Sequence, residues 1–181
     1  MLNFNNKTIR TILTFFFLNP DSSLYLKELA NKLSLDNGNL SRYLSSLVND
    51  GVLAMREEGR QKYFSLNKTY PVLNELKKMV EINAGPEISL KNAFAEVKGL
   101  NKAYIFGSYA AGNFNAESDL DILLIGNHDP IDARRKLISI QKRFGREINT
   151  IDYTEKEYEK KIKEKDNFLL KVLADKKITL K

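Results

Sequence analysis

Apolar residues recur at helical spacing through the first fifty positions, and then the period changes. Ile9, Ile12, Leu13 and Phe16 predict a helix over about 6–18 that stops at Asn19-Pro20, because the residue before proline resists the α region. "LYLKELANKL" repeats apolar side chains at Leu26, Leu29, Ala30 and Leu33, a second helix. "SLDNGNLS" reads as a turn. "NLSRYLSSLVNDG" then reads as a third helix, with Leu40, Tyr43, Leu44 and Leu47 or Val48 inward and Gly51 where a helix ends. In "VLAMREEGRQKYFSL" two β runs, about 52–56 and 61–66, flank a turn at Glu58-Gly59. A helix over about 71–84 carries Leu73, Leu76 and Val80, and Gly85-Pro86 breaks the chain after it. Two domains are expected, residues 1–84 and 85–181.

The second half alternates. It predicts a helix over about 87–98 (Leu90, Phe94 and Val97 inward), a strand "KAYIF", a loop, and a strand "DLDILLIG". A helix from Pro130 to about Phe144, a strand "REINTID", two helices and a short closing strand "KITLK" follow. The first of those last two helices, "TEKEYEKKIKEKD", opens with Thr154 and Glu157 at capping-box spacing and reads as exposed. The expected class is α/β (α+β): a helical reader with a β-hairpin, then a small α/β domain with a mixed sheet.

Composition narrows the chemistry. With 43% hydrophobic residues the 181-residue chain can build real cores. The absence of cysteine excludes disulfides, thiol nucleophiles and Cys-type zinc sites, and one histidine, His128, cannot build a His-rich metal site. Any metal must be held by oxygen, which favours Mg²⁺ or Mn²⁺. The net charge of +6 is a modest bias toward polyanions, and it does not single out one half: residues 1–84 carry 11 Lys/Arg and 8 Asp/Glu, the rest 18 and 15. "IRTILTFFFL" is too short to span a bilayer and no cleavage site follows, so no membrane partner and a cytoplasmic location are expected.

On the third helix the positions off the apolar face are Asn37, Asn39, Ser41, Arg42 and Ser45. Asn can read adenine, Arg guanine or phosphate, and Ser phosphate. The hairpin adds Arg56, Arg60 and Lys62 beside the repulsive Glu57 and Glu58. The "L-S-R-Y-L-x-x-L-x-x-x-G-V-L" core and "G-R-x-x-Y" resemble the winged-helix domains of ArsR- and MarR-type transcriptional regulators. The resemblance implies binding to double-stranded DNA and a homodimer, for which Phe15 and Phe17 are candidate contacts; packing of both on the fourth helix is the simpler alternative. The Cys or His ligands of the metal-sensing members are missing. A winged helix used only for protein contacts is the other reading.

"GSYAAGNFNAESDLDILLIG" (107–126) carries the second candidate chemistry. On a strand Asp119 and Asp121 share one face, and such a pair ionises easily only beside a cation. Gly107 and Ser108 offer a close backbone approach, outward N–H groups and a hydroxyl to a phosphate. Two metals roughly 3.5–4 Å apart could clamp the attacking and leaving oxygens of a phosphoryl centre. Gly-Ser, a second glycine, Ser before Asp, and Asp-x-Asp together resemble the minimal nucleotidyltransferases of the DNA polymerase β superfamily over about residues 100–152. By that resemblance Gly107 and Ser108 bind the phosphates of an NTP, Asp119 and Asp121 hold the metal, Gly112 shapes the loop and Ser118 supports the strand. The family's third carboxylate aligns with Asn149, a neutral side chain and a very poor base. Asp152 lies on the opposite strand face. Arg134, Arg135 and Lys136 read as a solvated helix face, and His128 as structural.

The preferred reading is a DNA-binding regulator whose nucleotidyltransferase-like domain binds an NTP with Mg²⁺ or Mn²⁺ and transfers a nucleotidyl group to an unknown acceptor. The alternatives are a non-catalytic transcription factor that senses nucleotide, and an antitoxin-type nucleotidyltransferase acting on a toxin or other protein partner.

Overall fold

A computed structural model of the chain describes residues 4–115 and 117–181. The chain divides into two units: Met1–Gly85 with Lys142–Gly145, and Pro86–Gln141 with Arg146–Lys181.

In the first unit, α1 (Lys7–Leu18) begins where the Asn6 side chain accepts from the N–H groups of Thr8 and Ile9 at 2.8 and 3.2 Å. Then come β1 (Ser23–Tyr25), α2 (Leu26–Leu33), α3 (Asn37–Asn49), β2 (Leu53–Glu58), β3 (Gln61–Leu66) and α4 (Leu73–Ala84). Asp36 caps α3 by accepting from the Asn39 N–H at 3.0 Å, and Leu40, Leu44 and Leu47 then recur on one buried face. They share a core with Ile12, Leu13 and Phe16 of α1, Leu29 of α2, Phe64 of β3 and Val80 of α4.

Three local expectations change. Strand β1, which pairs antiparallel with β3 and makes the sheet order β1-β3-β2, carries no readable period in three residues; only its partner makes it a strand. The hairpin turn is Gly59-Arg60, since Glu58 pairs with Gln61. Gly59 takes φ 61°, the region a Cβ disfavours. Phe15 and Phe17 are 1% and 7% exposed and lie in the same core as Leu76 and Val80 of α4, so neither is available to a second copy.

The second unit runs α5 (Pro86–Ala95), β4 (Leu100–Phe106), α6 (Gly107–Ala111), β5 (Leu120–Gly126), α7 (Pro130–Phe144), β6 (Ile148–Tyr153), α8 (Glu155–Lys163), α9 (Asn167–Ala174) and β7 (Ile178–Thr179). The last residues of α7 group with the first unit. The sheet is mixed, with order β6-β5-β4-β7; β5 runs parallel to β6, and the other pairs are antiparallel. Strand β5 is shielded on both faces. Leu123 and Ile125 join Leu169 and Val172 of α9 and Tyr158 and Ile162 of α8, while Leu120, Ile122 and Leu124 are buried on the other side. Thr154 and Glu157 make the reciprocal capping box of α8, Thr154 N–H donating to Glu157 Oε2 at 2.8 Å and Glu157 N–H to Thr154 Oγ1 at 3.2 Å. Among the described residues no helix is long and apolar enough to cross a membrane.

Phe94 is fully buried. Phe94→Ala is expected to cost roughly 3–5 kcal/mol in urea unfolding, the usual range for emptying a buried aromatic site.

Candidate functional site

The ends of three strands converge on one point. Asp121 is in register with Phe106 of β4 on one side and with Asn149 of β6 on the other. Directly after Phe106 the chain turns into α6 through Gly107, whose φ of 71° is the left-handed conformation that glycine tolerates. A Cβ at Gly107 would stand 2.6 Å from Asp121 Oδ2, so the backbone at this turn lies against the carboxylate. Asp119 sits just ahead of β5, and the Asn149 Nδ2 group donates to Asp119 Oδ2 at 3.4 Å. Gly107, Asp119, Asp121 and Asn149 are therefore brought together.

The other residues of the motif lie around this centre. Ser108 is half-buried on α6, and its carbonyl accepts from Asn113 N–H at 2.9 Å. A five-residue helix carries little dipole, so an anion here would depend on individual N–H groups and the Ser108 hydroxyl. Gly112 ends α6 at φ 82° and faces open space. Ser118 ties a turn: Asn115 N–H donates to Ser118 Oγ and Ser118 Oγ to Asn115 Oδ1, both at 3.1 Å. Asp152 lies away from the carboxylate pair, in register with Leu124. There it meets the Nε2 of His128 at 2.9 Å and accepts from Thr150 Oγ1 at 3.1 Å, with Arg134 at 3.8 Å. His128 is 2% exposed at its side chain. Glu147, ahead of β6, is exposed, and its carbonyl accepts from Leu120 N–H at 3.0 Å.

One charged residue at the centre escapes a reading based on motif spacing. Arg146 is 9% exposed. Its NH1 donates to the Ser118 carbonyl at 3.4 Å, and its guanidinium lies 5.1 Å from the centre of the Phe114 ring. Phe114 in turn meets Tyr109 of α6 edge-on at 5.2 Å. Burial pushes the Arg146 guanidinium down, and the charge of Asp119 pushes it back up. The available signals were an aromatic inside the polar stretch "GNFNAES" and a cation three positions before Asn149. On α7 and β6 a groove of about 540 Å³ opens beside Asn149, lined by Ile131, Arg134, Arg135, Ile138 and Thr150 among others.

In the first unit, Asn37, Asn39, Ser41, Arg42 and Ser45 of α3 are all exposed. The Arg42 guanidinium lies 5.0 Å from the Tyr43 ring centre and donates to Tyr43 OH at 3.3 Å. On the hairpin, Lys62 pairs with Glu57 at 3.5 Å and Arg56 with Glu58 at 2.7 Å. Such exposed pairs are weak, so the two lysine and arginine charges are dampened but not removed. Arg60 stands at the turn with no partner recorded among the described residues.

Burial lifts the Asp121 carboxyl above the ordinary carboxylate range, the Asn149 amide pulls it down, and Asp119 lifts it again. Two carboxylates crowded in this way fit a single Mg²⁺ or Mn²⁺ ion. No cluster of three or more His, Cys, Asp or Glu side chains suited to a metal occurs among the described residues. A carboxyl raised in the fold binds its proton more tightly folded than unfolded. Its contribution is full below the unfolded value and is lost as pH rises through the folded one. In metal-free buffer, Asp121→Asn is therefore expected to melt above the parent at about pH 7, with the gap closing below about pH 3.5 in thermal scans.

Residues 89–175 match the family model for polymerase beta nucleotidyltransferases. A Methanocaldococcus jannaschii protein, provisionally named a protein adenylyltransferase, is 41% identical over 66 residues, 35% of this chain and 63% of that one. The match thus spans less than two thirds of that relative's length. Among solved structures, reduced HlyU from Vibrio cholerae N16961 shares 29% identity over 43% of this chain and 74% of its own, at a TM-score of 0.34. A provisionally named nucleotidyltransferase from Sulfolobus solfataricus shares 22% over 41% and 68%, at 0.27. A toxin–antitoxin complex with AMP-PNP shares 17% over 53% and 73%, at 0.39. These structural likenesses are partial and carry no argument about activity. What the sequence matches show is a likeness, over residues 89–175, to nucleotidyltransferases of the polymerase beta type.

Proposed function

We propose that the second unit binds a nucleoside triphosphate with one divalent cation and transfers its nucleotidyl group to a hydroxyl on a protein, while the first unit binds double-stranded DNA. The observation that carries the first part is the Gly107 backbone lying against Asp121 Oδ2, which brings the turn into α6 and the carboxylate pair together. Asp119 and Asp121 would hold the cation, the Asn149 carbonyl could join them only if its amide turned over, and the bound ion would draw charge from the phosphoryl oxygens. Gly107 leaves room for the Asp121 carboxylate against the chain, and Ser108 supplies a hydroxyl donor. The acceptor hydroxyl oxygen bonds to the α-phosphorus as the bond to the pyrophosphate oxygen breaks; pyrophosphate leaves. The hydroxyl proton passes to water, because the amide of Asn149 cannot take it. A protein acceptor is supported by the name of the archaeal relative, and the groove beside Asn149, with its two arginines, is the side from which an acceptor segment would approach.

A second reading keeps nucleotide binding without transfer. It is favoured by the neutral Asn149 opposite Asp121 and by the engagement of Asp152 with His128, which takes that carboxylate away from the pair.

For the first unit, the order α2, short turn, α3 and the β2–β3 hairpin is that of a helix-turn-helix with a wing. The exposed face of α3 would enter the major groove and Arg60 would reach the backbone. A second copy, which a two-fold operator requires, would meet on α4, where Val72, Met79 and Ile82 stand 50%, 49% and 76% exposed.

Three outcomes are expected. Labelled ATP with Mg²⁺ or Mn²⁺ should mark a protein acceptor in parent samples and leave it unmarked with Asp119→Ala/Asp121→Ala; nucleotide binding in calorimetry without any labelled product would favour the sensor reading. Asn149→Asp should raise transfer, and an unchanged rate would reject the missing base as the limitation. Arg42→Ala should weaken an operator complex by about 1–3 kcal/mol if it reads a base, while Arg60→Ala should weaken all sequences alike and lower the salt slope by about one; unchanged affinity in both would reject this docking.

A further inference from the structure

The third carboxylate expected in this family is an amide here, while the buried guanidinium of Arg146 reaches the backbone carbonyl of Ser118, the residue before Asp119, close enough to feel the Asp119 charge. Asp119 and Asp121 bring two negative charges and Arg146 one positive charge, so the three side chains sum to one negative charge when both carboxylates are ionised. Arg146 is also fixed in place. Its NH1 donates to the Ser118 carbonyl at 3.4 Å, and its plane lies against Phe114, which packs edge-on against Tyr109 of α6. A guanidinium held between a ring and a backbone carbonyl keeps its charge and its position through any event at the carboxylates.

We propose that Arg146 makes this a site for a metal–nucleotide complex and a poor site for a free metal ion. The inference rests on the nucleotide-binding reading above. Coulomb's law gives Arg146 opposite effects on the two ligands. It repels a lone divalent cation approaching Asp119 and attracts the polyphosphate that would bring the cation in. The divalent ion therefore arrives with its nucleotide, one ion per site, and does not preload. Arg146 is a positioning residue: it acts through Asp119 and through the charge of the pocket and takes no part in bond making.

The test compares the parent protein with Arg146→Met and Arg146→Lys, using Mn²⁺ alone and Mn²⁺ with ATP, followed by electron paramagnetic resonance and calorimetry. The parent is expected to hold one Mn²⁺ per bound ATP and to bind Mn²⁺ alone weakly. In Arg146→Met, affinity for Mn²⁺ alone should rise about tenfold while affinity for Mn²⁺–ATP falls by a similar factor. Arg146→Lys, which keeps the charge and loses the planar stack, should stay near the parent in both. A merely structural role predicts that both affinities fall together in both variants, and that result overturns the proposal. So does tight binding of Mn²⁺ alone by the parent, or two Mn²⁺ per ATP. Circular dichroism melting of each variant separates misfolding from a charge effect, and should Arg146→Met not fold, the parent stoichiometry and Arg146→Lys decide. If the parent binds no ATP at all, the nucleotide reading itself fails and this inference falls with it; normal ATP binding with unaltered Arg146 variants rejects the inference alone.

Discussion

Two carboxylates crowd the mouth of a strand that is otherwise shielded from water. Leu120, Ile122, Leu123 and Leu124 of β5 are fully buried, so Asp119 and Asp121 are tolerated only at the end of the strand, where solvent and other polar groups reach them. Burial still raises Asp121, and the Asn149 amide and the Arg146 guanidinium answer part of the excess negative charge. The rest of the second unit is arranged around this tension. Helices α8 and α9 cover the same face further along, at Leu123 and Ile125, and leave the carboxylate end uncovered by the core they build.

The parallel pairing of β5 and β6 decides which polar side chains meet. It sets Asn149 opposite Asp121 and sends Asp152 to Leu124, on the opposite face and toward the other end. His128, buried and held to Asp152, occupies that carboxylate in a second polar cluster with Thr150 and Arg134. The acidic residue that might have replaced the missing ligand is thus consumed in structure. The residue that stays opposite Asp121 is an amide, a very poor base.

The first unit manages its charges differently. Its candidate DNA-facing helix exposes amides, hydroxyls and Arg42, while the hairpin cations Arg56 and Lys62 are paired with their own glutamates. Surface pairs of this kind are worth little and open readily to a phosphate. Arg60 at the turn faces no such competitor among the described residues, so the hairpin presents one uncommitted charge at its tip.

Most helices were legible because a 3.6-residue apolar period survives in the chain: Leu40, Leu44 and Leu47 announce α3, and Leu90 and Phe94 announce α5. The carboxylate pair was legible too, since parity along one strand puts Asp119 and Asp121 side by side, and the same parity excluded Asp152. Strand β1 and the turn at Gly59-Arg60 were not, because each depends on a partner far along the chain or on a register no local pattern encodes; packing of Phe15 and Phe17 with α4, the simpler of the two readings, is what the core shows. By itself the sequence determined the elements, the short-range motif and the likeness to two families. Only tertiary structure decided that Arg146 reaches the Ser118 carbonyl next to Asp119, that Asp152 belongs to His128, and that the Gly107 backbone touches Asp121. These are long-range juxtapositions, fixed by strand pairing and side-chain stacking, and no periodicity along the chain carries them.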